Sequence, residues 1–444
     1  MTAGPLRTRP SQLAGGSGCR QTVSQPSTNG TVNGEVGKRM MSPNQTQRGR
    51  LRRVLPVLVG LGLLLLTGCG ADGRPLTTLS PRGEASRAIH DLVVPVFIVA
   101  GVVFVFINVG VLYVAVRFRR RPGDEDEFPE QIHGNTKLEL SWTIIPALIM
   151  AGIAVGTLAT LITLANEPED IAQEFDIRVV GHQWWWAFEY DLGRDGSIDF
   201  VTANEMVIPA GTPVHLKITS NDVIHSFWIP ALNGKKDAAP GREHELWMAA
   251  DQPGRYLGQC TEFCGLSHGY MRMLVEAKTP EQFAGWVAGQ QTKAPIPEAG
   301  TAERRGLEAF VGNCASCHLI EGVNSPGCTP IKTEAEYDAK ANTCWVGASP
   351  FAGAAQVSGN APNLTHLMTR YVFVGALYEL QTEDRVLNRN NLEGWIRNPQ
   401  DFKPMAPEPT RGNAYGRGMP KLPLTEDQID DLVDYLATLG APTA

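Results

Sequence analysis

The sequence predicts a multidomain membrane protein: a two-helix transmembrane hairpin, then a small β-barrel or sandwich, then a small all-α domain. Three observations carry that expectation. Two long apolar runs, residues 92–116 and 142–165, contain no charged residue. Between residues 166 and 285, short β-branched runs alternate with Gly and Pro. After a Pro-rich linker at 286–300, helical patterning surrounds a Cys-x-x-Cys-His motif. A chain of 444 residues has room for two or three such domains.

The first segment, 1–68, reads as a leader and export signal. Arg48, Arg50, Arg52 and Arg53 precede the apolar run 54–66, which is too short to span a bilayer. That run ends in Leu66-Thr-Gly-Cys69, which resembles a bacterial lipobox and would make Cys69 the lipidated first residue of the mature protein. Cleavage nearby without lipid is the competing reading. Residues 1–40 are rich in Gly, Ser, Thr and Asn, and translation is expected to start at Met40 or Met41. An outer segment follows at 69–90.

The two uncharged runs form the hairpin at 91–165, each exceeding the roughly 20 residues a spanning helix needs. Arg117, Arg119, Arg120 and Arg121 stand between them, and positive-inside bias places this loop in the cytoplasm. Both ends of the hairpin then face outward, in agreement with an export signal ahead of it. Glu139, just before the second run, reads as an interfacial carboxylate at a helix end.

In 166–285 the runs 175–180 and 206–218 combine β-branched residues with Gly/Pro punctuation, as strands and turns do. Strand alternation puts Trp184 and Trp186 on one face and Trp185 on the other. This segment carries a formal charge of −9, and 301–444 carries −5. Acidic domains exclude a nucleic-acid partner, whose phosphates call for Lys and Arg, and suit a basic protein partner.

Chemistry concentrates in one segment, where Cys260, Cys264, His268 and Met271 stand as Cys-x-x-x-Cys-x-x-x-His-x-x-Met, with His225 upstream. Two thiolates, two imidazoles and a thioether form a soft set suited to copper. Zinc sites have no place for the Met. A mononuclear blue-copper site uses one Cys, so the second Cys supplies a bridging sulfur and enough ligands for two copper ions. The competing reading is a Cys260–Cys264 disulfide.

The domain at 301–444 contains Cys314-Ala-Ser-Cys-His318, the pattern for covalent attachment of a c-type haem. Thr425 and Gln428 make a capping box ahead of a helix with an apolar face through Ile429, Leu432, Val433, Leu436 and Leu439. Gly440 ends it. Met419, before this helix, and Met405 compete for the sixth haem position, with Met419 favoured. The sequence leaves open whether Cys328 and Cys344 form a disulfide or stay as thiols, and it assigns no role to 321–357.

The segment Gly258-Gln-Cys-Thr-Glu-Phe-Cys-Gly-Leu-Ser-His-Gly-Tyr-Met271 resembles the dinuclear copper (CuA) motif of cytochrome c oxidase subunit II. Gly181-His-Gln-Trp-Trp-Trp-Ala-Phe-Glu-Tyr190 resembles that family's aromatic stretch. The resemblance runs from the membrane segments to about residue 280. It implies a cupredoxin-like Greek-key β-barrel with His225, Cys260, the Glu262 carbonyl, Cys264, His268 and Met271 as copper ligands. It also implies that Trp184 is the exposed residue where electrons enter, and that Glu139 lies near the entrance of a proton path. The Glu262 side chain would help bind magnesium or manganese at the catalytic-subunit interface.

The Met-Pro-then-helix arrangement resembles class I cytochromes c, as in cytochrome c-fused haem–copper oxidases. Cys314 and Cys317 would hold haem c covalently, with His318 and Met419 axial to its iron. The implied protein is the redox subunit of a cytochrome-c oxidase in a bacterial plasma membrane, its metal domains on the outer face. Its partners would be catalytic subunit I, other oxidase subunits and an external donor, either cytochrome c or a cytochrome bc-type complex. Quinol oxidase subunit II is similar in fold but lacks the metal ligands. A CuA-containing subunit of a membrane nitric oxide reductase, or a membrane-tethered electron carrier, are the alternatives.

Overall fold

The computed structural model describes residues 75–119, 131, 133–169, 171, 175–325, 329–331, 343–345, 361–406 and 417–440. The leader, the start at Met40 or Met41, Cys69 and the Cys328–Cys344 pairing lie outside the described residues.

The hairpin consists of α1 (Glu84–Arg117) and α2 (Thr136–Ala165), 34 and 30 residues long. At 1.5 Å per residue either exceeds a hydrocarbon core of about 30 Å. Phe97, Phe104, Trp142 and Leu148 are exposed on it, as expected of helices whose solvent is lipid. The start of α2 is capped from both sides. The Asn135 side chain accepts from the Lys137 and Leu138 N–H groups, and Glu139 Oε1 accepts from Asn135 N at 3.2 Å.

α1 begins inside the segment expected to precede the membrane, because its first turn is planted on the β domain. Ser86 Oγ donates to the Ala231 carbonyl at 2.7 Å, and Arg87 pairs with Asp251. A Cβ at Gly83 would meet the Ala249 carbonyl oxygen at 2.2 Å, so only glycine allows this approach. From the other helix, the Leu164 carbonyl accepts from Trp247 Nε1 at 3.1 Å. The β domain is thereby seated on the hairpin at the start of α1 and the end of α2.

That domain is a sandwich. β1 (Asp176–His182), β2 (Trp185–Asp191), β3 (Phe200–Ala203), β5 (Val214–Ser220) and β8 (His244–Met248) form one sheet in the order β3-β2-β1-β5-β8. β4 (Glu205–Pro209), β9 (Gly254–Gln259) and β10 (Arg272–Lys278) form the second, ordered β4-β10-β9. β6 (His225–Phe227) pairs with β7 (Lys236–Ala238) as a separate ladder. β1 and β5 run parallel, as do β4 and β10, so the chain crosses between sheets instead of folding as successive hairpins. Both sheets face one core that includes Ile177, Val179, Phe188, Met206, Leu216 and Val275. Trp184 and Trp186 point into this core while Trp185 packs on the opposite face with Val180 and Ala203, as alternation predicts.

Next comes α3 (Pro280–Gln290), opened by the Thr279–Gln282 capping box. The C-terminal domain is built on α4 (Ala302–Asn313), α5 (Arg389–Arg397) and α6 (Glu426–Ala437). The Thr425–Gln428 box caps α6, whose Ile429, Leu432, Val433 and Leu436 are buried as the sequence predicts. α4 crosses α6 at Gly306, where a Cβ would lie 1.9 Å from the Asp431 carbonyl oxygen. The all-α expectation misses two short ladders: β11 (Thr329–Ile331) with β12 (Thr343–Trp345), and β13 (Val372–Phe373) with β14 (Tyr378–Glu379). Ladders of two or three residues leave no period-2 pattern for a sequence reading to detect.

Candidate metal centre

β9 and β10 are antiparallel neighbours, and the loop between them carries Cys260, Cys264, His268 and Met271. The loop closes on itself where Cys260 N donates to the Met271 carbonyl at 2.9 Å. Gly265 allows its tight course with φ +112°, a conformation that disfavours side chains. β6 brings His225 alongside.

The donors converge. Cys260 Sγ lies 3.7 Å from Cys264 Sγ, 3.9 Å from His225 Nδ1 and 3.3 Å from the Glu262 carbonyl oxygen. Cys264 Sγ lies 3.5 Å from His268 Nδ1 and 3.8 Å from Met271 Sδ. The sulfur separation is far beyond a disulfide bond of about 2.05 Å. Cys260, Cys264, His225 and Met271 are buried.

An outer layer orients these groups. His225 Nε2 meets Asp222 Oδ1 at 2.8 Å, leaving Nδ1 for the cluster, the carboxylate–histidine arrangement common at metal sites. The Cys264 carbonyl accepts from Gln183 Nε2 at 2.7 Å and Trp184 Nε1 at 3.0 Å. The hydrogen bond from Cys264 draws the Cys260 thiol down to about 4. The same bond, together with burial, pushes Cys264 up. Burial opposes charge on His225, but its bonds to Asp222 and Cys260 outweigh that and raise its pKa. One thiolate is therefore ready to bind metal, and the second proton leaves when a cation replaces it. Two sulfurs, two imidazoles, a thioether and a carbonyl so placed fit a soft-metal centre.

A second constellation lies in the C-terminal domain. His318 Nδ1 meets the Pro362 carbonyl at 2.8 Å, which leaves Nε2 free to ligate. An apolar cavity is lined by Cys314, His318 and Met419 among aliphatic and aromatic residues, the concave, mostly apolar lining with a few polar groups typical of cofactor sites. Burial lowers the pKa of His318 and keeps its ring neutral. Met419 borders this cavity, whereas Met405 packs against the β-domain core.

Trp184 corrects one expectation: it is 5 % exposed. Its ring packs into the β-domain core, Lys403 of the C-terminal domain donates to its carbonyl, and a cleft there is lined by Trp184, Trp185, Cys317, Met405 and Met419. Glu139 is exposed and serves the cap of α2, and the Glu262 side chain is also exposed. Sequence reasoning missed Gln183, Asp222, Glu205 and Lys403. Only Asp222 left a signal, an acid three residues before a candidate ligand.

Fold and site together define a membrane-anchored electron-transfer subunit with a thiolate-rich metal centre outside the hairpin. Residues 77–160 match the family model for the transmembrane domain of cytochrome C oxidase subunit II, and 194–278 that for its periplasmic domain. Cytochrome c oxidase subunit 2 of Alkalihalophilus pseudofirmus is 32 % identical over 85 % of this chain and 94 % of its own length. That of Bacillus sp. strain PS3 is 32 % identical over 86 % and 96 %. Quinol oxidase subunit 2 of Bacillus cereus is 33 % identical over 54 % and 81 %. The chain belongs to the cytochrome c oxidase subunit 2 family. It is part of an oxidoreductase complex with a haem–copper catalytic subunit, and transfers electrons through a CuA copper centre.

Proposed function

We propose that this chain carries its own haem and is the point where electrons enter a terminal oxidase. Electrons from an external cytochrome c or cytochrome bc-type complex would reach the C-terminal haem, pass to the dinuclear copper, and go on to the subunit that reduces dioxygen to water. The observation that carries this reading is one cleft lined both by Trp184 and Asp222, which hydrogen-bond Cys264 and His225, and by Cys317 and Met419 of the C-terminal domain. The matches to cytochrome c oxidase relatives span 381 and 399 residues, so they necessarily extend past residue 278 into the C-terminal domain.

His225, Cys260, Cys264, His268, Met271 and the Glu262 carbonyl would hold two copper ions. Two copper ions bound there would share one electron across both sulfurs. The β9–β10 hairpin and Asp222 hold the donors in place, so little rearrangement accompanies a change of charge. Cys314 and Cys317 would hold haem c by thioether bonds, and His318 and Met419 would bind its iron. A haem so ligated works at a raised potential, as in electron-carrying cytochromes c. Trp184 links the centres through its hydrogen bond to the Cys264 carbonyl. The Glu262 side chain would contribute to a magnesium or manganese site, and Glu139 to the entrance of a proton path. Cys69 would carry a lipid after signal cleavage.

Mass spectrometry of the native complex tests the assignment. A covalent haem increment on this chain, an N-terminus at Cys69 and a co-purifying catalytic subunit with oxygen uptake are expected. A haem-free chain would remove the donor role, and nitric oxide reduction without oxygen uptake would redirect the function.

A further inference from the structure

The face between the copper domain and the C-terminal domain is built unlike an encounter surface. Linked domains usually meet through polar surfaces and move relative to one another, and dissociating electron-transfer partners bury little area. Here each domain inserts a buried ionisable side chain into the other. Glu205, at the start of β4, is 2 % exposed, and its Oε2 accepts the backbone N–H groups of Tyr371 (2.8 Å) and Val372 (3.3 Å). Lys403 of the C-terminal domain is 4 % exposed, and its Nζ donates to the Trp184 carbonyl.

A third link starts beside Met419. Arg417 Nε donates to Gln183 Oε1 at 3.1 Å, and Gln183 Nε2 donates to the Cys264 carbonyl at 2.7 Å. Around these, Ser267 Oγ donates to the Pro404 carbonyl and Arg272 N to the Gly375 carbonyl at 3.2 Å. Arg255 of the copper domain lies over the Tyr371 ring at 4.3 Å and pairs with Glu383.

Desolvation decides between a mobile and a fixed domain. Glu205 and Lys403 keep these bonds only while the domains are docked. Each separation would rehydrate both groups, and each return would strip that water again before the bonds reform. Charged rims at transient surfaces steer association without that barrier.

We propose that the C-terminal domain is permanently seated on the copper domain, with Glu205 and Lys403 as positioning residues that hold the His318 cavity against Ala203 and Asn204 of the copper domain. Electron transfer, one electron lost by the haem and one gained by the dinuclear centre, then proceeds from a fixed geometry without a docking event. The proposal rests on the haem reading above.

The test uses the complete oxidase complex. Covalent haem by mass and copper by electron paramagnetic resonance are measured first; a chain without haem overturns the haem reading, independently of the latch. Flash-induced electron transfer from haem to copper is then followed at increasing glycerol and salt. The wild-type rate should be independent of both. Glu205→Ala and Lys403→Met should slow transfer by about tenfold or more, as misplacement of reacting centres does, and make it viscosity-dependent. Glu205→Gln and Lys403→Arg, which keep an acceptor and a donor, should retain the rate. A wild-type rate that falls with viscosity overturns the proposal, as do Ala and Met variants that transfer normally with both cofactors present. Should those variants fail to assemble, the wild-type viscosity series decides alone.

Discussion

Gly181→Ala should damage the copper centre without replacing any of its ligands. Gly181 lies in β1, and a Cβ there would sit 2.7 Å from His225 Cδ2 and 3.0 Å from its Cγ. Ordinary contact begins at 3.4 Å, so the imidazole must retreat by about 0.7 Å in an interior packed without slack. It has little room to do so. Its Nε2 is tied to Asp222 at 2.8 Å, its ring is fully buried, and Trp186 packs edge-on to it at 5.8 Å. β1 cannot yield easily either, being paired with both β2 and β5. Overpacking of this kind costs about 1–3 kcal/mol. The domain should fold with a lowered thermal midpoint, while Nδ1 is turned from Cys260. Copper per chain and the two-copper hyperfine pattern are the measurements. Gly254→Ala is the control, since its nearest neighbour would be Tyr256 Oη at 3.4 Å. If Gly181→Ala retains full copper and an unchanged hyperfine pattern, then either His225 is not a ligand or the packing argument fails.

Cys260→Ser should abolish the delocalised mixed-valence signal, because it removes one of two sulfurs 3.7 Å apart; a surviving two-copper spectrum would refute bridging. Met419→Leu should yield a five-coordinate, high-spin haem by optical spectroscopy, whereas Met405→Leu, half-buried against the copper-domain core, should leave the haem low-spin. Stability should also depend on Glu205. Burial, then the Glu276 charge, pushes its carboxyl from 4.5 up to about 7. The native state therefore holds a proton that the unfolded chain releases above pH 4.5. This contribution is fully present below pH 4.5 and is lost as pH rises through 7, by about 3 kcal/mol in all. Urea midpoints measured across that range should fall with pH in the parent and flatten in Glu205→Gln; parallel profiles would contradict the assignment.

Much of the molecule was legible because its signals are local. Uncharged runs longer than a bilayer demands announce the hairpin, and the capping box with its apolar stripe announces α6. The metal-binding loop packs four donors into twelve residues, and one antiparallel hairpin suffices to bring them together. Where the C-terminal domain sits left no comparable pattern. It is decided by contacts such as Lys403–Trp184 and Arg417–Gln183, whose partners are more than 200 residues apart.

The sequence by itself determined the donor types, their spacing, the membrane hairpin and the Cys-x-x-Cys-His motif, since each depends on covalent order within one segment. Only the tertiary structure decided that Asp222 orients His225, that Trp184 is covered, and that Met419 borders the His318 cavity while Met405 does not. Those outcomes arise from packing and desolvation summed over two domains, in which no single residue's identity fixes its neighbour.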